Sequence, residues 1–428
     1  MTGVLSAPGF PEASIRSRAR DGARGVFPPM DGYGLTLFGA GGVSRPGTAE
    51  GGTDPLDAMR LVPPVFMPQR LEMLTELARE PLYGDVALDT EIGGFRSPLP
   101  FYVSAFGSTQ VSSSGLGLAV SRQAGRLGIP LVIGENVVPT NGYADSSEQT
   151  GNGMLARLRA YESELPDGLG GMAFQQSTED ADAEVWNLLY SDPGAQPLLE
   201  SGRLAFELKV GQGAKPGLGG MTVLQRATAD RLAGQYSTDE SVFDGGEQVL
   251  RCSSPGTFTA EILRQQIRFM RNNYPRARVW VKLPPGRDIH DAAQVAWASG
   301  ADSVTVDGAE GGSGWAPSSF LDQVGLPLAE CLRRLGSQPR SHCLLVSGRM
   351  WEGARAVKSL ALGARAVGLG RAALLAADED PEEGLARLVA CLALETRMLI
   401  SSLGKYRPAA LDQDDVWLPG ATGLGHLA

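Results

Sequence analysis

The chain has 428 residues, a formal net charge of −10, and 43% hydrophobic against 20% charged side chains. That composition describes a globular protein able to bury a large core, and it holds no basic cluster of the kind that duplex binding needs. The cysteines, Cys252, Cys331, Cys343 and Cys391, form no CxxC pair, and His290, His342 and His426 do not cluster, so no metal site is expected.

The first stretch, MTGVLSAPGFPEASIRSRARDG, lacks the continuous apolar core of a signal peptide. No apolar run is long enough to span a bilayer. Together with scattered single cysteines, which read as core residues in a reducing compartment, this predicts a cytoplasmic protein without nucleic-acid or membrane partners. Residues 1–60 are rich in Gly, Pro and Arg and read as an irregular arm over the main domain or over an entrance, or as a disordered tail. The main domain is expected over 61–415, with a C-terminal tail over 416–428.

From about residue 98, short β-rich apolar runs alternate with amphipathic stretches. Strands are expected at 100–105, 130–135, 154–158, 205–210, 279–283, 303–308, 343–347 and 366–370. Between them GLGLAVSRQAGRLG, DIHDAAQVAWASG and MWEGARAVKSLALG repeat apolar residues at three and four and end in glycine, a favoured stop. Strand–helix alternation of this kind predicts a (β/α)8 TIM barrel, with a doubly wound sheet as the rival. Segments 159–204 and 211–278 exceed simple βα connections and read as long βα-loop insertions at the C-terminal mouth.

Two Gly-Arg turns follow the last two strands. CLLVS runs into Ser347, Gly348 and Arg349, and AVGLG, with Gly368 and Gly370, runs into Arg371. Barrels often seat a phosphate in these two loops, where glycine admits the oxygens and a helix N-terminus favours the anion. Either arginine can add charge-assisted hydrogen bonds. VWVKLPPG sets Lys282 among apolar neighbours on a strand, a costly position unless the ammonium meets an anion or strong acceptor. A flavin ring with its N1/C2=O side at that lysine fits both features.

These residues bring a family into view. GQGAKPGLGGM (211–221) resembles the QGAKPG motif of the FMN-binding domain of glutamate synthases, and DGAEGGSGWAPSSFLDQVGLPLAECL (307–332) resembles the same family's GHDGGTGASP…GLP region. VKLPPG, VSGRMWEGARAVKSLALGA and GLGRAAL continue in order, FYVSAFGS resembles the strand that opens that barrel, and GEN (134–136) stands where the family has GEGG. The resemblance implies FMN as cofactor. It puts Ser104, Ala105 and Glu135 near the flavin and Gln212 and Lys215 on its reactive face. Gly308, Gly311, Gly312 and Gly314 would wrap the phosphate or ribityl chain, with Asp307 and Glu310 holding that loop or Glu310 facing the substrate. Glu135, Glu310 and Lys215 stay open as the general acid.

Departures from the family bear on function. The chain begins Met-Thr, where the amidotransferase domain would begin with a nucleophilic cysteine, so a stand-alone barrel is expected. Cys391 is alone where the family carries its iron–sulfur cysteines, so no cluster is expected. The family's "SP..H.D" stretch appears as Ser253-Ser254-Pro255-Gly256-Thr257-Phe258, and Trp315 replaces a small residue beside GGSG. The expectation is kept flavin machinery with an altered substrate pocket: an FMN-dependent oxidoreductase acting on a C–N bond of an amine, an amino acid or an imine made from a 2-oxo acid. A partner subunit or electron donor and a homo-oligomer belong to that expectation. The other readings are a flavin enzyme without net redox change, isomerase-like, and a non-catalytic flavin-binding subunit.

Overall fold

Parallel strands covered by helices are buried on both sides, so each is a short run of apolar residues with inward positions at every second residue. The structure, a computed structural model, describes residues 5–26, 54–106, 115–134, 153–177, 183–211, 213, 222–232, 237–240, 247–252, 258–311, 318–339 and 341–418. Eight parallel strands close a barrel: β1 Phe101–Phe106, β2 Leu131–Ile133, β3 Met172–Ser177, β4 Leu204–Lys209, β5 Arg278–Leu283, β6 Ser303–Asp307, β7 Leu344–Ser347 and β8 Ala366–Leu369. The seam is the β8–β1 pairing, Val367 to Phe101, Gly368 to Tyr102 and Leu369 to Val103. Helices join the strands, and three of them, Leu116–Leu127, Ile289–Ala298 and Gly353–Ala361, occupy the stretches expected from periodicity. Gly128 ends the first in the left-handed region at φ 65°, with its N–H returned to Ala124 and Gly125.

One expected strand is corrected. Residues 154–158 belong to the helix Met154–Glu162, whose buried Met154, Arg157, Leu158 and Tyr161 recur at helical spacing against the helix Leu116–Leu127. The third strand is Met172–Ser177, so 159–204 is not one long insertion but contains β3 and the helices Ala183–Ser191 and Gln196–Glu200. The segment 211–278 does carry an addition, an antiparallel sheet of Thr222–Gln225, Gln248–Cys252 and Ser237–Asp239, before the helix Ala260–Asn273.

The arm is also corrected in part. Within residues 1–60, read as irregular, Glu12–Asp21 is a helix continued by a 3-10 turn over Gly22–Val26, and it packs on the helices Arg371–Glu379 and Gly384–Ser402. Arg60 and Leu61 pair with Trp417 and Val416, so a two-stranded ladder joins the two ends of the barrel segment. Residues 27–53, also in the arm, lie outside the described residues. No described helix is long and apolar enough to cross a membrane.

Inside the barrel, polarity is sorted by depth. Val132, Ala173, Ala205, Trp280, Leu345 and Ala366 form an apolar layer with Ile92 and Phe95 of the hairpin Thr90–Ile92/Phe95–Ser97. That hairpin stops the N-terminal end: Phe95 lies 5.2 Å from the Trp280 ring, and the indole N–H donates to the Gly93 carbonyl at 3.0 Å. Trp280→Ala is expected to cost about 3–5 kcal/mol, the range for deleting a buried large aromatic. A fall in the denaturant midpoint checks this, and an unchanged midpoint would show the plug to be dispensable.

Candidate functional site

Two residues further along each inward-facing series, apolar side chains give way to polar ones. Gln175 on β3, Glu207 on β4, Lys282 on β5, Thr305 and Asp307 on β6 and Ser347 on β7 are all buried at the C-terminal half of the barrel. They are satisfied mainly by one another. The Lys282 ammonium stands 3.0 Å from Asp307 Oδ2, and the Ser347 hydroxyl donates to Asp307 Oδ1. The Gln175 amide donates to Glu207 Oε2 at 2.6 Å and the Thr305 hydroxyl to Oε1 at 3.2 Å. Burial pushes the Glu207 carboxyl above its ordinary pKa, while the Lys282 charge and the Gln175 hydrogen bond pull it back. Burial likewise raises the Tyr102 phenol, helped by the Glu207 and Asp307 carboxyls.

At the seam, Ser104 is 5% exposed and its hydroxyl has no hydrogen-bond partner among the described residues. Ala105 follows it on β1. Tyr102 stands near Ser104 and Ser347, but its hydroxyl closes no hydrogen bond of ordinary geometry. A buried hydroxyl without a partner is costly, and a ligand that completes it removes that cost.

The turns after β6, β7 and β8 lie together. Gly308 N–H donates to the Ser347 carbonyl at 3.0 Å, and Gly311 N–H returns to the Gly308 carbonyl at 2.9 Å. Gly348 has φ 138° and Arg349 φ 55°, so two successive left-handed residues turn the chain sharply out of β7. After β8, a Cβ on Gly370 would meet nothing within 4 Å, so the turn borders open space. The helix Arg371–Glu379 starts there with no side-chain cap, leaving its first amides as anion donors. Arg371 is mostly buried beside Arg349, and burial, then that like charge, hold its pKa down to about 10.

The structure thus brings together Ser104, Lys282, Asp307, Gly308, Ser347, Gly348, Gly368, Gly370 and Arg371 at one end of the barrel. Glu310 is engaged elsewhere: its carboxyl caps the helix Leu328–Leu335 by accepting from Leu328 N–H at 3.1 and 3.0 Å, and its carbonyl accepts from Arg371 at 2.6 Å. These contacts join the turn after β6 to the helix Leu328–Leu335 and to Arg371. Arg349 pairs with Asp57 at 2.9 Å and Asp54 at 3.5 Å, so its charge is matched within the protein. Glu135, Gln212, Lys215, Gly312 and Gly314 lie outside the described residues.

Glu207, Gln175, Thr305 and Tyr102 escaped the sequence reading. For Glu207 a signal existed: in Leu204–Lys209 it shares inward parity with Ala205, and a lone carboxylate inside a buried strand points to a partner. Among the described residues, no group of three or more His, Cys, Asp or Glu could hold a metal ion.

With this geometry in view, relatives become informative. The model of the conserved region in glutamate synthase matches residues 159–378, from the helix before β3 through the helix after β8. The chain belongs to the glutamate synthase family. It is 34% identical over 223 residues to a glutamate synthase large subunit-like protein of Rhizobium meliloti, covering 50% of this chain and 49% of that one. It is 32% identical over 182 residues to the archaeal glutamate synthase [NADPH] of Methanocaldococcus jannaschii, covering 40% and 34%. The match therefore spans about half or less of the length of these relatives. Among solved structures, the flavin-binding domain of baker's yeast flavocytochrome b2 superposes with a TM-score of 0.55 at 19% identity, covering 87% of this chain and 79% of that one. A soluble mutant of Pseudomonas putida (S)-mandelate dehydrogenase gives 0.53 at 18%, covering 96% and 99%. At such identities these two show the barrel fold alone.

Burial, and then the Asp54 charge, raise the Glu310 carboxyl from 4.5 to about 7. The folded protein therefore holds this proton more tightly than the unfolded chain does. Its contribution to stability is complete below about pH 4.5 and is lost as pH rises through about 7, on the order of 3 kcal/mol in all. Glu310→Gln is expected to gain on wild type as pH rises from 5 to 8 in equilibrium unfolding. A variant that loses ground over that range would mean the carboxylate form is the one the fold prefers.

Proposed function

We propose that this protein is an FMN-dependent oxidoreductase of the glutamate synthase type that acts on a C–N bond, reducing an imine or oxidising an amine or amino acid. The observation that carries the reading is Lys282, a cation only 6% exposed on the inner wall of β5, inside a barrel of this family. The residues present fit the cofactor. The Ser104 hydroxyl awaits a partner, Gly370 borders open space, and the uncapped helix start with Arg371 offers an anion site. Bound FMN supplies hydride exchange at N5.

The chain's own residues do the rest. Lys282, fixed by Asp307, would supply a positive charge to the pyrimidine edge of a bound flavin ring. Ser347 holds Asp307 in place for that task, and the Gln175–Glu207–Thr305 group makes a rigid polar floor. Gly348, Gly370 and Arg371 would hold the phosphate. From the sequence, Gln212 and Lys215 face the substrate: an ammonium pairs with a carboxylate, and the carboxamide orients a carbonyl or imine. Glu135 belongs to the same cavity. The changes at 253–258 and at Trp315 argue for a substrate other than the family's usual one, brought by a partner subunit or drawn from solution.

The test is spectral. The purified protein is expected to show flavin bands and to release FMN on denaturation. Anaerobic addition of the right amine, or reoxidation of the reduced protein by an imine, changes those bands. Lys215→Ala is expected to lower that rate by two orders of magnitude or more, an effect of about 3 kcal/mol on the barrier, with FMN content unchanged. Glutamate formed from 2-oxoglutarate and ammonia at a rate matching any amine reaction would refute the altered pocket. A colourless protein that FMN does not reconstitute would refute the cofactor.

A further inference from the structure

We infer that Phe10 is a positioning residue for the phosphate end of the cofactor site: its ring holds the Arg371 guanidinium ready for a phosphate dianion. The inference rests on the FMN reading above and adds to it a residue nearly the whole chain length away from the turn it serves.

The two arginines of the phosphate turns differ in how their charge is met. Arg349 is matched by Asp57 and Asp54, carboxylates that also bind Arg355. Lys358 fixes that acidic turn by donating to the Leu56 and Asp57 carbonyls at 3.0 and 3.2 Å. Arg371 pairs with no carboxylate among the described residues. Its contacts are the Glu310 carbonyl at 2.6 Å and the face of Phe10, with the guanidinium carbon 4.4 Å from the ring centroid. Both contacts orient the guanidinium without an ion pair, and the nearby Asp307 and Glu310 carboxyls act on its charge only through space. A fixed cation with no ion-pair partner among the described residues, beside an uncapped helix N-terminus, is prepared for an anion with the charge of a phosphate.

The N-terminal segment is built to hold Phe10 there. Residues 5–16 are tied to the same helix that Arg371 begins. Arg16 donates to Asp378 at 2.8 Å and to Glu379 at 3.4 Å, and the Leu5 N–H donates to Asp378 at 2.9 Å, all at the helix's far end. Arg16 also donates to the Leu5 carbonyl, and Glu12 accepts from both Arg16 and the Ala7 N–H, closing the segment on itself. Phe10 N–H donates to the Ala7 carbonyl at 3.0 Å, and the ring is 6% exposed. Arginine gives up much rotamer freedom on binding, and a ring that fixes it beforehand lowers that loss.

The test compares FMN with riboflavin, which differ only by the phosphate, in titrations of the cofactor-stripped full chain followed by flavin fluorescence. Phe10→Leu keeps an apolar side chain in the cavity and removes the π face; Phe10→Tyr keeps the face. The expected result is an FMN Kd raised about tenfold by Phe10→Leu, a riboflavin Kd within twofold of wild type, and an FMN Kd restored by Phe10→Tyr. Wild-type FMN binding with no change in Phe10→Leu, or with equal loss of FMN and riboflavin, overturns this inference and leaves the cofactor reading standing. Wild-type protein that binds neither flavin overturns both.

Discussion

Closing eight strands requires β8 to lie against β1, and at the level where the site begins that seam admits only glycine. A Cβ on Gly368 would fall 2.0 Å from the Ser104 hydroxyl and 2.6 Å from the Tyr102 ring. No rotamer of a larger residue escapes both, so any side chain there would push the seam apart or displace the two polar groups of β1. Everything at the mouth follows from that closure. Ser104 reaches inward opposite Lys282 and Asp307, and the β8 turn comes beside those of β6 and β7 because the ring of strands is complete.

Below that level the interior is apolar and plugged, and above it the interior is polar and internally paired. The division separates what stabilises the fold from what serves the site. Trp280 and Lys282 are two residues apart on β5, yet one packs on Phe95 and the other meets Asp307. Burying Lys282, Asp307 and Glu207 contributes little net stability, because desolvation offsets the attraction between charges. What it supplies is rigidity: each carboxylate is held by two or more neighbours, so the wall that faces a ligand keeps one arrangement.

Much of this was readable in the sequence, and the failures have physical causes. Apolar runs announced β1, β2, β4, β5, β6, β7 and β8 because strands covered on both sides leave no room for alternation. β3 hid because its mouth half is Gln175, Gln176 and Ser177, which dilute its apolar character, while MLARL offered a better run to the eye. That run is helical, and its fully buried Arg157 falls on the helix's inner face. The Gly-Arg turns were legible because a turn between strand and helix is a local matter. Their partners were not. Asp54, Asp57 and Phe10 meet Arg349 and Arg371 across most of the chain, 292 residues in the case of Asp57 and Arg349, and no spacing rule reaches that far. The same distance explains the arm, whose helix is stabilised by contacts with the helices after β8 rather than by its own weak amphipathicity.

The ladder between Arg60–Leu61 and Val416–Trp417 has a consequence for synthesis. The N-terminal segments are tied to Arg355, Lys358, Asp378, Glu379 and Glu395, and last of all to Val416 and Trp417. On a ribosome these segments emerge before the helices that receive them. Loops of this length close slowly and late. The arm's helix therefore finds its packing surface only once the helices after β8 have formed.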